Sequence, residues 1–177
     1  MDNTTVILLF TDIQGSTTRW ERDRNAMAAA LRRHDVLMRD AISGSRGRVF
    51  KTMGDQFCAA FSTVSDSIAA AVRAQRALAA EDWSEVGGLD VRMAIHAGSV
   101  EERDGDYFGR PLNKVARLLG IGHGGQVLLS GAAADLIAGD LPSETQLSDL
   151  GQHRLKDLEG VERVYQLRAP DLRDEFP

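Results

Sequence analysis

The pattern of apolar and polar positions predicts a buried strand followed by a helix at the start of the chain. Residues 6–10 form a continuous apolar run, which is typical of a strand covered on both faces. A polar turn follows at residues 11–18. From residue 25 to about residue 42, apolar side chains recur at helical spacing, and Gly44 ends the pattern.

Residues 48–61 predict a β-hairpin. Two apolar runs are separated by Gly54-Asp55, a short turn that contains glycine. Two charged side chains are unusual here, because Lys51 lies within the first strand and Asp55 at the turn, where an ordinary hairpin needs neither. The hairpin is therefore a candidate for function as well as for structure.

The remaining elements follow from the same periodicities. They are a helix at 64–78, a half-buried strand at 91–97, a charged turn at 101–105, a helix at 111–119, a strand at 127–129, a short helix at 132–138 and a strand at 164–167. The order of strand, helix, two strands, helix and strand predicts an α+β fold. We expect a ferredoxin-like βαββαβ sandwich on one mostly antiparallel sheet, with extra strands and helices.

Length and composition predict one globular domain over residues 1–170. The chain has 177 residues, of which 43% are hydrophobic and 27% charged, values that are ordinary for a globular protein. Residues 171–177 form a polar tail, which we interpret as a candidate linker to a regulatory domain. The single cysteine, Cys58, lies in a predicted strand and is expected to be a small core residue in a reducing compartment.

Charge and hydropathy argue against several classes of partner. The formal net charge of -5 argues against broad binding of nucleic acid or of an anionic membrane. The short apolar run near the N-terminus has no basic region before it, and no segment approaches the ~20 apolar residues that span a bilayer. We therefore expect a cytoplasmic protein.

Asp12 is the first candidate for chemistry. It stands at the carboxyl end of the buried strand, where open sheets commonly carry functional groups. Gly15-Ser16-Thr17 follows and can present backbone N–H groups to an anion at a helix start. The alternative is that Asp12 or Ser16 caps the next helix, and at this point the two interpretations have about even odds.

Asp55 adds a second carboxylate. Gly-Asp suits a turn, so Asp55 also has a purely structural interpretation. If Asp12 and Asp55 lay side by side, they would repel each other unless a divalent cation stood between them. One or two carboxylates together with substrate phosphates are the usual ligands of Mg²⁺ in phosphate chemistry.

The helix at 111–119 carries the third cluster. Leu112, Val115, Ala116 and Leu119 form its predicted core stripe, while Asn113 and Arg117 lie four residues apart on one face beside it. Such a pair suits a phosphate or a transition state. A solvated helix flank is the commoner role of a lone polar pair.

Together these clusters resemble the class III nucleotide cyclase catalytic domain. Each fragment alone is weak, but their order and spacing match the family over most of the chain. The fragments that carry the resemblance are Phe10-Thr11-Asp12-Ile13, Lys51-Thr52-Met53-Gly54-Asp55, Asp106-Tyr107-Phe108-Gly109, and Asn113 with Arg117 four residues on.

The resemblance implies a role for each matched residue. Asp12 and Asp55, with the backbone carbonyl of Ile13, match the ligands of two Mg²⁺ or Mn²⁺ ions per site. Lys51 and Asp106 match the positions that select the purine, and a lysine and an aspartate there read adenine, whereas guanylate cyclases typically carry glutamate and cysteine. The resemblance thus implies an adenylate cyclase acting on ATP.

The remaining matched positions concern the ribose and the phosphates. Asn113 and Arg117 match the pair that orients the ribose and stabilises the transition state, and Lys156 matches, more loosely, a lysine that holds the terminal phosphates. Family geometry implies a homodimer whose two sites are shared between the subunits. Three alternatives stay open: a silent nucleotide-binding or dimerisation module, a guanylate cyclase and, more distantly, a diguanylate cyclase.

Overall fold

Strand β1 (Asn3–Ile13) lies in the middle of the sheet in the computed structural model, which describes residues 3–177. It pairs antiparallel with β3 (Gln56–Phe61) on one side and with β4 (Val91–Arg103) on the other. Helices cover both faces, so neighbouring side chains that point in opposite directions are both buried, and Leu8 and Leu9 are each 0% exposed. This confirms the strand that the apolar run predicts.

Within residues 3–177 the sheet has eight strands in the order β2-β3-β1-β4-β6-β8-β7, with β5 paired to β4. Among these described strands, only the pairing of β4 with β6 is parallel. The four strands β2-β3-β1-β4, with helices after β1 and β3, form the predicted ferredoxin-like βαββαβ unit. The other strands are β2 (Arg48–Met53), β5 (Asp106–Phe108), β6 (Val127–Ser130), β7 (Gln146–His153) and β8 (Glu162–Arg168).

The helices lie on both faces of this sheet. Helices α2, α3 and α5 share one hydrophobic core with the sheet, and α4 packs on the opposite face over a second core. The helices are α1 (Ser16–Arg22), α2 (Arg24–Gly44), α3 (Val64–Ala80), α4 (Arg110–Gly120) and α5 (Gly131–Ile137), with a 3₁₀ turn at Ser84–Val86. None of the helices within residues 3–177 is long and apolar enough to span a bilayer.

Several elements differ from the sequence prediction where local pattern carries little signal. The sequence does not predict β5, because its three residues are too few to show a strand periodicity. The sequence does not predict β7 either, since β7 is an edge strand that, in the described part of the chain, pairs with β8 alone and has half-buried or exposed side chains throughout. Helix α1 was predicted only as a turn leading towards a helix, and none of its residues is buried. The strand predicted at 91–97 continues to Arg103, so the turn shrinks to Asp104-Gly105.

The predicted core stripe of α4 also needs one correction. Val115 and Leu119 are buried as predicted, but Ala116 is exposed and Leu118 takes the buried position. The apolar stripe is therefore rotated slightly around the helix, which leaves Asn113 and Arg117 on the outer side.

Cys58 and the C-terminal tail occupy defined places. Cys58 is buried in β3, and burial raises the pKa of its thiol to about 11. In the tail, Phe176 stacks on His123 with ring centroids 6.1 Å apart, and Asp174 accepts a 2.7 Å hydrogen bond from Arg168. Residues 171–177 therefore lie against the domain, and their use as a linker stays a prediction.

Gly98 sets how closely α4 approaches the sheet. A Cβ atom on this β4 residue would lie 2.5 Å from Cγ of Pro111, in the first turn of α4. We expect Gly98→Ala to lower the free energy of unfolding by about 1–3 kcal/mol, because the added methyl overpacks this contact. Urea denaturation measures the change. Gly120→Ala is the matched control, since a Cβ at Gly120 meets nothing within 4 Å. Equal stability of the two variants would contradict this prediction.

His96 makes the stability of the fold depend on pH. It is 5% exposed, lies 2.6 Å from the hydroxyl of Ser130 through Nδ1, and burial lowers its pKa from 6.5 to about 4. The unfolded chain therefore takes up the proton first as pH falls. We expect the free energy of unfolding to decrease between pH 6.5 and pH 4, by about 3 kcal/mol from His96 alone.

We expect the free energy of unfolding of His96→Asn to change less between pH 6.5 and pH 4 than that of wild type. Urea denaturation at several pH values measures this. The free energy of unfolding at pH 8 serves as the baseline. His96 is neutral there in both the folded and the unfolded chain, so a difference between variant and wild type at pH 8 reports the change in packing alone. Part of the dependence of the unfolding free energy on pH will remain in the variant, since burial also lowers the pKa of His34. An unchanged slope in the variant would show that His96 is not the group responsible.

Candidate active site

The end of β1 and the turn of the β2–β3 hairpin bring two carboxylates together. Thr11 on β1 is paired with Phe57 on β3, so the turn before Phe57 lies beside the end of β1. The backbone N–H of Ile13 donates a 3.3 Å hydrogen bond to Oδ2 of Asp55. Asp55 therefore lies next to the Asp12-Ile13 segment, as the metal interpretation of the sequence requires.

Arg92 completes this group, which we call the carboxylate cluster (Asp12, Ile13, Asp55 and Arg92). It stands directly opposite Asp12 in the pairing of β1 with β4. Its Nε donates to Oδ1 of Asp12 at 2.7 Å and its Nη2 to Oδ2 at 2.5 Å, and this contact with Asp12 raises the pKa of Arg92. Sequence reasoning missed Arg92, because only the strand register places it opposite Asp12.

The oxygen atoms of the carboxylate cluster fit a hard divalent cation. Two carboxylates and a backbone carbonyl are the kinds of ligand that Mg²⁺ and Mn²⁺ prefer. Within residues 3–177, no group of three or more His, Cys, Asp or Glu side chains is arranged around one metal position. Ions held by Asp12 and Asp55 would therefore take their other ligands from backbone, water or substrate.

The loop after β1 does not use Asp12 or Ser16 as a helix cap. Gly15 is the N-cap of α1, with φ of 68°, and no side chain caps this end of the helix. Gln14 anchors the loop instead, because its Oε1 accepts a 2.7 Å hydrogen bond from the backbone N–H of Gly124. The capping interpretation is thus wrong for both residues, and Asp12 is bound to Arg92.

Lys51 and Asp106 form an ion pair, although they are far apart in the chain. Nζ of Lys51 lies 2.8 Å from Oδ2 of Asp106, while Oδ1 of Asp106 accepts a 2.7 Å hydrogen bond from the N–H of Tyr107. The hydrogen bond between the two side chains lowers the pKa of Asp106 and raises that of Lys51. We call this contact the lysine–aspartate pair.

The end of the β4–β5 hairpin brings this pair together. In the sheet, β2 and β4 are separated by β3 and β1, yet β5 contacts β2 directly. The ring of Tyr107 packs edge-on against Phe50 at 4.8 Å, and its hydroxyl accepts a 2.8 Å hydrogen bond from Arg48. Aromatic packing thus fixes the position of Asp106 relative to Lys51.

Asn113 and Arg117 lie on the exposed outer side of α4. Asn113 lines a cavity of about 570 Å³, whose other walls include His96 and Lys114. Nη2 of Arg117 lies 3.1 Å from Oδ2 of Asp157 in the loop between β7 and β8. Lys156 is exposed in the same loop. The contact of this loop with Arg117 is made by Asp157, the residue after Lys156.

The predicted site residues therefore fall into three groups within one chain. The carboxylate cluster lies at the end of β1, the lysine–aspartate pair joins β2 to β5, and the Asn113–Arg117 face belongs to α4. Gly15, Ser16 and Thr17 stand at the start of α1, next to the first group. The first two groups have internal contacts, whereas Arg117 of the third contacts Asp157 in the loop between β7 and β8.

Comparisons with known proteins point to one family. The family model of the adenylate and guanylate cyclase catalytic domain matches residues 1–169. An uncharacterized protein of Mycobacterium tuberculosis (strain H37Rv) is 40% identical over 175 residues, which cover 98% of this chain and 59% of that protein. The chain thus spans a little under two thirds of this relative.

Named cyclases are similar as well. The adenylate cyclase of Mycosarcoma maydis is 39% identical over 150 residues, covering 71% of this chain and 6% of that much longer protein. The structure of an adenylate cyclase from Trypanosoma brucei in its monomeric state superposes with a TM-score of 0.83 at 26% identity, covering 96% of this chain and 92% of that one.

A guanylate cyclase domain, RhGC of Catenaria anguillulae in complex with GTP, has the same fold. Its TM-score is 0.83, with 96% of this chain and 99% of that chain covered, and its 16% identity shows the fold alone. Since the family model covers nearly the whole chain, this protein belongs to the adenylate and guanylate cyclase catalytic domain family, the class III nucleotide cyclases.

Proposed function

We propose that this chain is the catalytic domain of an adenylate cyclase, which converts ATP to 3′,5′-cyclic AMP and pyrophosphate. The observation that carries the choice of adenine is the 2.8 Å contact between Lys51 and Asp106. Adenine presents an amino donor at N6, which a carboxylate accepts, and a ring acceptor beside it, to which an ammonium donates. The lysine–aspartate pair holds one donor and one acceptor at hydrogen-bond distance.

The carboxylate cluster is proposed to hold the metal ions. Asp12 and Asp55 would supply carboxylate oxygens and Ile13 a backbone carbonyl, and the hydrogen bond from the N–H of Ile13 to Oδ2 of Asp55 supports this grouping. When bound there, Mg²⁺ or Mn²⁺ would lower the pKa of the ribose 3′-hydroxyl and would stabilise negative charge on the phosphate oxygens. Gly15, Ser16 and Thr17, at the uncapped start of α1, are proposed to receive the phosphates through their backbone N–H groups.

Arg117 and Asn113 are proposed to act on the transition state and the ribose. Arg117 is 43% exposed and its partner Asp157 is more exposed still, and such surface ion pairs typically contribute ~0–1 kcal/mol. Arg117 can therefore leave Asp157 for a phosphate oxygen at small cost. Lys156, in the same loop, is proposed to hold the terminal phosphates.

A shared site between two copies of the chain fits the contacts of the groups. In one chain Asp12 is bound to Arg92, Lys51 to Asp106 and Arg117 to Asp157, so these contacts do not join one group to another. We propose a homodimer with a two-fold axis, in which the carboxylate cluster of one subunit acts with the lysine–aspartate pair and the Asn113–Arg117 face of the other. Such a dimer has two equivalent sites.

The direct test is an activity assay with purified protein. We expect cyclic AMP from ATP with Mn²⁺ or Mg²⁺, and a decrease in kcat of about a hundredfold or more in Asp55→Asn and Arg117→Ala, because each removes one preorganised group. Arg163→Gln is a control, since it removes an exposed Arg163–Asp149 pair outside the three groups. Cyclic GMP as the preferred product would support a guanylate cyclase instead, and no product with either nucleotide would support the silent module.

The shared site has its own test, in which two inactive variants are mixed. In a heterodimer of Asp55→Ala and Arg117→Ala chains, one site carries both defects and the other carries neither. Random exchange makes half of the dimers mixed, so we expect recovery of about a quarter of the wild-type activity. Mixtures that stay as inactive as the separate variants, while size-exclusion chromatography shows exchanged dimers, would contradict the shared site.

A further inference from the structure

Arg92 engages both carboxylate oxygens of Asp12. The two hydrogen bonds, of 2.7 Å and 2.5 Å, form the forked arrangement that guanidinium and carboxylate groups make when they match in plane. The side chains of Arg92 and Asp12 are 25% and 21% exposed, so the pair is largely withdrawn from water. Screening by solvent is therefore weaker here than at an open surface.

Asp55 lies beside this pair. Its Oδ2 accepts a 3.3 Å hydrogen bond from the N–H of Ile13, the residue that follows Asp12. The guanidinium thus adds one positive charge next to the two carboxylates that are proposed to bind metal. A divalent cation that approaches Asp12 meets a fixed positive charge already bound to the same two oxygen atoms.

We propose that Arg92 is a positioning residue for the metal site, which holds Asp12 in the metal-free protein and lowers the affinity of the carboxylate cluster for free divalent cations. This inference rests on the proposed function, because it requires Asp12 and Asp55 to be the metal ligands. The triphosphate of the nucleotide brings negative charge of its own. Arg92 therefore opposes the binding of the cation alone more strongly than the binding of cation and nucleotide together.

The opposite role for Arg92 would be to hold Asp12 ready for the metal without competing with it. The contact geometry favours competition, since Arg92 occupies both carboxylate oxygens and a carboxylate that serves two ions must offer both. An arginine beside an aspartate typically lowers the pKa of that carboxyl by about 1–3, which is a loss of about 10- to 1,000-fold in affinity for a proton, and the same charge acts against a metal ion. We therefore expect removal of the Arg92 charge to tighten the binding of Mn²⁺ by about tenfold.

The experiment measures Mn²⁺ binding to the metal-free 177-residue chain from the electron paramagnetic resonance signal of free Mn²⁺. It compares wild type with Arg92→Gln and Arg92→Lys, and uses Asp12→Asn to identify the site. We expect about tenfold tighter binding in Arg92→Gln and nearly wild-type binding in Arg92→Lys, which keeps the charge. Arg163→Gln, which breaks another Arg–Asp pair, should leave binding unchanged.

A second titration, with a non-hydrolysable ATP analogue present, tests the role of the nucleotide. With the analogue bound, we expect Arg92→Gln to bind Mn²⁺ no more than about threefold more tightly than wild type, because the phosphates offset the charge of Arg92. Circular dichroism and thermal unfolding show whether each variant is folded. If Arg92→Gln does not fold, Arg92→Met, which is of similar length and uncharged, takes its place.

The outcomes separate this inference from the proposed function. If Asp12→Asn weakens Mn²⁺ binding while the uncharged Arg92 variants bind Mn²⁺ as weakly as wild type or more weakly, the role of Arg92 is overturned and the metal site stands. If Arg92→Gln still binds Mn²⁺ about tenfold more tightly than wild type when the analogue is present, the proposal that nucleotide weakens the effect of Arg92 is overturned. If Mn²⁺ does not bind, or Asp12→Asn has no effect, the metal site and the inference fall together.

Discussion

The pairing of β1 with β4 is the constraint on which the rest of this structure depends. The two strands are antiparallel over eleven residue pairs, from Asn3 opposite Glu101 to Ile13 opposite Val91. A strand buried on both faces admits little change of register, because a shift by one residue would exchange its side chains between the two cores. The same register puts Arg92 opposite Asp12, so packing of apolar residues decides where two opposite charges meet.

The pairing also explains how the site is divided among elements. One end of β1 meets the turn of the β2–β3 hairpin, which carries Asp55, while the far end of β4 continues into the hairpin that carries Asp106. Helix α4 follows this hairpin and packs on the opposite face from α2 and α3. A single chain therefore presents its carboxylate cluster and its lysine–aspartate pair as separate groups, which is the arrangement that a shared site between two chains would use.

Prediction from sequence succeeded where a local periodicity reports a buried face. The apolar run of β1, the hairpin and the helical spacing of α2, α3 and α4 all led to elements that the structure contains. Prediction failed for β7, because an exposed edge strand needs little alternation of apolar and polar residues, and for α1, because none of its residues is buried. Gln14 has no role predicted from the sequence, yet its side chain anchors the loop after β1 to Gly124.

The sequence by itself determined the elements, most of their order and the residue types that can bind a metal, a purine and a phosphate. Motif order was enough to identify the family, because hydrophobic periodicity and motif spacing are both properties of the chain read in one dimension. Only the tertiary structure decided which side chains touch. Lys51 meets Asp106 because Tyr107 packs against Phe50, and Asp12 meets Arg92 because two distant strands pair in one register. Such contacts depend on strand order and packing between segments more than fifty residues apart, about which local pattern carries no information.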